Sequence, residues 1–292
     1  MMIRKAVIPA AGFGTRFLPF TKSVPKEMIP LVDKPVIQYV VEEAVAAGIT
    51  DILIVVSSGK MAIQEHFNPD PGLLARLEEN GRSALADELR AIDRMARLHF
   101  VYQQELKGLG DAVLQARGFV GDEPFAVLLG DTVTTSEVSP VIGQLCAVSR
   151  QKGASVVALE EVPWEKTSRY GVIDGTAVAE SVYKVKTFIE KPSPDEAPSN
   201  LAIAARYVFT PEIFGFLENT IPGKGGEIQL TDAMREMVRT IPMYGCRFDG
   251  RRHDIGDKLE FIKATVEFSL KRPEFRDNVG VWLKDLSTRL ED

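Results

Sequence analysis

The chain has 292 residues, 45% of them apolar, and a formal net charge of −6. That length buries a large core, as one big domain or two smaller ones. No Lys/Arg run stands out and no apolar run approaches the ~18 residues of a membrane span, so neither a nucleic acid nor a membrane is expected as partner.

The opening Met1-Met2-Ile3-Arg4-Lys5 shows neither the clear apolar stretch nor the cleavage site of a signal peptide, so a cytoplasmic protein is expected. Ala6-Val7-Ile8 then reads as a buried strand. Further strands are expected at 52–56, 98–102, 125–129 and 155–159. Helical patterns fill the gaps at 36–47, 74–96, 112–118 and 141–152. This alternation predicts βαβ units, and the nearly continuous apolar strands fit a sheet covered on both faces. The rhythm changes after about Glu160. Strands are expected at 171–174, 181–190 and 202–209, and helices at 211–217, 228–239 and 256–270. The proline-rich 191–198 is a surface loop. The charged, helix-prone stretch 68–97 reads as an insertion that covers a site or a partner, and the sequence leaves both open. Cys146 and Cys246 make no disulfide framework, and with three histidines they argue against zinc. Any metal is expected to be a hard cation on carboxylates. The fold class expected is α/β, with a Rossmann-like, mixed and mainly parallel central sheet flanked by helices. Its single domain spans 1–275. A helical extension follows over 276–292.

The strongest local signal is Pro9-Ala10-Ala11-Gly12-Phe13-Gly14-Thr15-Arg16, directly after a buried strand. Small residues let backbone N–H groups approach an anion, and Arg16 adds a positive fork for phosphate oxygens. A dinucleotide fingerprint needs a third glycine near position 17, where Phe17 stands. A Walker loop needs a closing Gly-Lys-Ser/Thr, which is absent. The alternative is a plain glycine turn after a strand, and with Arg16 included the phosphate reading is favoured. In Pro25-Lys26-Glu27-Met28, Lys26 can pair with phosphate and Glu27 can accept from a base or ribose. A solvated ion pair explains the two residues as well. Asp131 ends the strand at 125–129, where α/β ligand crevices form, although an aspartate there could also cap a helix. His66, His99 and His253 have no ligand-like partners nearby in sequence and read as structural.

These blocks, with Asp33-Lys34-Pro35, Lys107-Gly108-Leu109-Gly110, Leu128-Leu129-Gly130-Asp131, Arg169-Tyr170-Gly171, Glu190-Lys191-Pro192, Gly226 to Ala233 and Asp254-Ile255-Gly256-Asp257, occur in the order seen in bacterial UTP–glucose-1-phosphate uridylyltransferases. The chain resembles that family, within the wider sugar-nucleotide pyrophosphorylases, from about residue 3 to 270, and the resemblance implies a nucleotide-binding N-terminal half and a sugar-phosphate-binding part over 160–260. The resemblance implies that Ala10, Ala11 and Gly12 contact a nucleotide through their backbone and that Arg16 and Lys26 hold its triphosphate. Glu27 and Gln104 would lie at the nucleoside, with Gln104 reading a uracil edge. Gly110 would let the base approach. Asp131 and Asp254 would ligate Mg2+, completed by phosphate oxygens and water. Glu190 would accept from sugar hydroxyls, Lys191 would neutralise the sugar phosphate, and Gly171 would lie close to the sugar. The implied reaction joins UTP and glucose 1-phosphate to give UDP-glucose and pyrophosphate, in a homodimer or homotetramer.

Three positions depart from residues common in the family: Asp111 for His, His253 for Tyr and Ala205 for Gly. They bear on base and sugar selectivity. The rivals are a dTTP-using thymidylyltransferase and a silent regulatory paralogue that binds sugar nucleotide. The Pro-Lys-Glu-Met block argues against the first. The presence of Arg16, Lys26, Asp131, Lys191 and Asp254 argues against the second. A Rossmann dehydrogenase fails on Phe17.

Overall fold

The computed structural model describes residues 2–223 and 226–291. Its strands are β1 (Lys5–Pro9), β2 (Pro30–Leu31), β3 (Lys34–Pro35), β4 (Asp51–Val56), β5 (Arg97–Tyr102), β6 (Phe125–Leu128), β7 (Thr132–Thr135), β8 (Ser155–Glu161), β9 (Gly171–Ala179), β10 (Val182–Glu190), β11 (Leu201–Phe209), β12 (Met243–Arg247) and β13 (Arg251–Asp254). Its helices are α1 (Val36–Ala46), α2 (Met61–Phe67), α3 (Pro71–Glu79), α4 (Ser83–Asp93), α5 (Leu109–Leu114), α6 (Arg117–Val120), α7 (Val141–Lys152), α8 (Ile213–Asn219), α9 (Leu230–Met237), α10 (Lys258–Lys271) and α11 (Pro273–Glu291).

Nine strands form one sheet in the order β5-β4-β1-β6-β11-β8-β12-β10-β9. Only β11 and β10 run against the others, so the sheet is mixed and mainly parallel, as expected. Side chains alternate across it. Ala6, Ile8, Ile52 and Ile54 join one core with α1 and α7. Val7, Leu53 and Val55 join the other with α5, α8 and α9. Residues from before and after Glu160 enter both cores, so the two stretches share one sheet. No helix among the described residues is long and apolar enough to cross a membrane.

Two features brace the strand end that carries Asp131. Arg206, fully buried on β11, donates from Nη2 to Glu43 (2.7 Å) and to the Thr132 carbonyl (2.8 Å). Glu43 on α1 also accepts from the Ile142 amide and the Thr134 hydroxyl. Removing either charge of such a pair would leave the other unpaired in the interior. In β11 the register with β8 shifts between Ile203 and Tyr207, and Ala205 takes φ +58°. That bulge lets the Ala205 carbonyl accept from the Leu129 amide (3.1 Å).

The structure corrects several expected elements. The helix read over 74–96 is two, α3 and α4, because Asn80-Gly81 turns the chain with Gly81 at φ +71°. The helix read over 112–118 is also two, α5 and α6. The strands β2, β3, β7, β12 and β13 and the helix α2 were not expected. The extension is a helix, α11, that packs on α10.

Candidate active site

The loop after β1 is pinned before it turns. Ala10 donates its amide to the Val55 carbonyl (2.8 Å), and the Ser57 hydroxyl donates to the Ala11 carbonyl (2.7 Å). Gly14 then takes φ +67°, where an added Cβ would stand 3.0 Å from Lys26 Cβ, so the turn requires glycine. Ala11 and Gly12 line a cavity of about 330 Å³ with Lys26, Glu27, Gln103, Gly108 and Asp131. Ala10 does not line it. It is buried in the core, since consecutive residues leaving a strand face opposite ways.

Glu27 sits at the floor of this cavity, fully buried, and accepts at Oε2 from Lys60 Nζ (2.7 Å). Its Oε1 is buried without a partner among the described residues. Burial pushes the Glu27 carboxyl above its ordinary range, against the pull of Lys60 and Lys26. Lys26 reaches across to donate to Asp131 Oδ2 at 2.6 Å.

Asp131, Asp254 and Arg16 converge on the Gly256 turn. A Cβ added at Gly256 would lie 3.1 Å from Asp254 Oδ1, 3.3 Å from Asp131 Oδ2 and 3.4 Å from Arg16 Nη1. The antiparallel pairing of β7 with β13, which sets Thr132 opposite Asp254, brings these distant stretches together. Burial would push the Asp131 carboxyl up, but Lys26 and then Arg16 hold it below its ordinary value. Asp254 goes the other way: burial raises it first and the Asp131 charge adds to that. Two carboxylates are therefore held together at an electrostatic cost, and no third His, Cys, Asp or Glu completes a metal cluster among the described residues. That donor set fits a hard divalent cation whose other positions fall to phosphate oxygens and water.

A second cavity, about 230 Å³, opens on the other side of Asp131 and is lined by Arg16, Gly171, Glu190, Lys191, Thr231, Arg252 and Asp254. Asp131, Leu109 and Leu129 line both cavities. Glu190 ends β10, accepts from the Thr231 hydroxyl at 2.7 Å, and has Lys191 Nζ at 3.3 Å. Lys191 takes φ +47°, and its half-exposed side chain stands at the cavity wall. Gly171 is opposite Glu190 in the β9–β10 ladder, where a Cβ would come 3.2 Å from Glu190 Oε2.

The first cavity thus gathers Ala11, Gly12, Lys26, Glu27 and Asp131, and the second Arg16, Asp131, Gly171, Glu190, Lys191 and Asp254. Three expected residues lie outside both: Ala10, Gln104 and Gly110. Gln104 is exposed, and its neighbour Gln103 lines the first cavity. The two follow β5 directly, so a one-residue offset turns the side chain to the other face. Gly110 packs against the chain itself. Its amide donates to the Ile228 carbonyl (2.8 Å), and a Cβ would come 2.7 Å from that oxygen. The sequence reading missed Lys60, Thr231 and Arg252. Lys60 follows the Ser57-Ser58-Gly59 turn at the carboxyl end of β4, a position that could have marked it. Arg252, which lies over the Tyr170 ring at 4.7 Å and donates to Glu160, carries no such signal. His253 is buried, as expected of a structural residue.

The sequence model of the family described as nucleotidyl transferase matches residues 5–269. The UTP–glucose-1-phosphate uridylyltransferase of Staphylococcus haemolyticus is 51% identical over 284 residues, covering 97% of this chain and 98% of that protein. Among solved structures, a UTP-bound UGPase from Acinetobacter baumannii superimposes with TM-score 0.91 at 36% identity, covering 98% of this chain and all of that one. A UDP-glucose pyrophosphorylase complexed with UDP-glucose does so with TM-score 0.86 at 42% identity, covering 93% of this chain and all of that one. Matched across nearly its whole length by model, sequence and fold, this chain belongs to the nucleotidyl transferase family.

Proposed function

We propose that the two cavities meeting at Asp131 bind UTP and α-glucose 1-phosphate and join them to UDP-glucose with release of pyrophosphate. The observation that carries this reading is the shared wall: one carboxylate belongs both to the cavity under the glycine loop and to the cavity holding Glu190 and Lys191. The relatives' names and bound nucleotides support the choice of UTP over dTTP.

In this reading the Ala11–Gly12 backbone and Lys26 receive the triphosphate, while Glu27 and Gln103 face the nucleoside. Arg16 and Lys191 offset the sugar phosphate, and Glu190 accepts from the sugar hydroxyls. The phosphate oxygen of glucose 1-phosphate attacks the α-phosphorus of UTP in line. The bond from that phosphorus to the bridging oxygen breaks, and pyrophosphate leaves with the electron pair. The nucleophile is already an anion at neutral pH, so no general base is needed, and catalysis rests on positioning and charge. Asp131 and Asp254 would hold Mg2+, which supplies positive charge against the repulsion of two polyanions.

The reading places the catalytic domain at 1–275, with the residues after it as an extension. The exposed Leu259, Ile262, Phe275, Val281 and Trp282 on α10 and α11 support a homo-oligomer formed through that end. Two buried, unpaired cysteines are in keeping with a cytoplasmic location. The test is pyrophosphate release from UTP, dTTP, CTP and GTP with each of several sugar 1-phosphates. UTP with glucose 1-phosphate should be fastest. A preference for dTTP, or no release with any pair, would sink the reading.

A further inference from the structure

The end of the first cavity at Gln103 carries a device that base binding alone does not require. Gln103 Nε2 donates to the Gly108 carbonyl at 3.2 Å and to Asp111 Oδ2 at 2.6 Å. Both amide protons are spent on acceptors. Turning the amide over would set Oε1 against a carboxyl oxygen and a carbonyl at the same distances, which is repulsive, so the chemistry fixes the orientation. Gln103 lines the cavity, and Oε1 is the polar atom of its side chain left uncommitted among the described residues. Asp111 is itself buried in the first turn of α5, with Gln115 Nε2 3.4 Å from Oδ1. Glu27 also lines this cavity, and its Oε1 is buried without a partner among the described residues.

We propose that Asp111 is a positioning residue that locks Gln103 as a hydrogen-bond acceptor, so that the site selects pyrimidine nucleotides carrying a ring N–H and rejects cytosine, whose corresponding nitrogen is an acceptor. The inference rests on the uridylyl-transfer reading above. An uncommitted amide serves uracil and cytosine alike, because it presents its oxygen to one and its nitrogen to the other by turning over. A locked amide meets cytosine with an acceptor facing an acceptor, and a site whose buried polar group is left unpaired discriminates strongly.

The test is Asp111→Asn. The new side-chain amide can donate to Gln103 Oε1 or accept from Nε2, so the shorter of the two contacts that fix Gln103 is lost and only the Gly108 carbonyl at 3.2 Å still opposes turning. Dissociation constants for UTP and CTP, and kcat/KM for both with glucose 1-phosphate, are measured on the full chain. The native protein should prefer UTP and should bind 3-methyluridine triphosphate, which lacks the N–H, as weakly as CTP. In the variant the UTP:CTP ratio should fall at least about tenfold, through KM rather than kcat. Equal weakening of both nucleotides, with the ratio preserved, would mark Asp111 as merely structural and overturn the inference. So would undiminished binding of the methylated nucleotide by the native protein. Because the ratio is read from binding as well as turnover, failure of the parent reading shows separately, as absent pyrophosphate release from UTP by the native protein.

Discussion

Substituting Lys60 by Met removes the strongest partner of a carboxylate that has no access to water. Glu27 is fully exposed to the consequence: its side chain is 1% accessible, and Lys60 Nζ lies 2.7 Å from Oε2. Without Lys60 the carboxyl is cheapest to bury as the acid. At pH 7 that costs the free energy of protonating a glutamate of ordinary value about 4.3, a ceiling of roughly 3 to 4 kcal/mol at about 1.4 kcal/mol per pH unit. Lys26, whose charge also reaches Glu27, trims the figure, so a loss of about 3 kcal/mol is expected. The sign with pH follows. A carboxyl whose folded value is raised is penalised only above its unfolded value, and the penalty grows as pH rises. At pH 5 the ceiling is about 1 kcal/mol, so the variant should recover most of its deficit relative to native protein. Lys60→Met combined with Glu27→Gln should lose the pH dependence and lie within about 1.5 kcal/mol of native. Urea unfolding of native, single and double variants at pH 7 and pH 5 reads all of these. A single-variant loss under about 0.5 kcal/mol at pH 7, or a loss equal at both pH values, would refute the reasoning.

Asp131→Ala and Lys191→Ala should each remove most turnover at saturating Mg2+ while far-UV circular dichroism and the melting transition stay near native. Near-normal turnover of either would remove that residue from the proposed site. Gly110→Ala puts a methyl against the Ile228 carbonyl, at 2.7 Å before relaxation, and should cost about 2 kcal/mol in urea unfolding. An unchanged midpoint would show that the 227–229 segment gives way freely. Burial, helped by Arg251 and Lys271, depresses the His253 imidazole to about 4. Its stabilising effect is present above the unfolded value near 6.5 and is lost as pH falls through 4. Native protein should therefore lose about 2 kcal/mol more than His253→Gln between pH 7 and pH 5, and parallel pH curves would contradict this.

What could be read from sequence was local. The loop 10–16 and Asp131 sit at the ends of apolar strands, and strand ends in such sheets face the ligand crevice, so burial pattern and chemistry coincide there. What could not be read depends on partners far along the chain. Glu27 in sequence is an acid beside Lys26, but its salt bridge goes to Lys60, 33 residues on. Arg206 looks like an anomaly in an apolar strand until Glu43, 163 residues away, is folded against it. Asp254 meets Asp131 only through the β7–β13 ladder, and both strands are too short and too polar to stand out. Gln103 and Gln104 differ by one residue of strand phase, which composition does not encode. The break between α3 and α4 was legible in Asn80-Gly81 and was outweighed by the helical periodicity on either side.

The central claim is that one site joins two polyanions by direct transfer, with Asp131 between them. Its most direct measurement follows UDP-glucose and pyrophosphate together, from UTP and α-glucose 1-phosphate in one reaction with Mg2+. The two products should appear one to one, with no pyrophosphate released when the sugar phosphate is left out. Pyrophosphate formed without glucose 1-phosphate, or UDP-glucose falling short of it, would contradict the account.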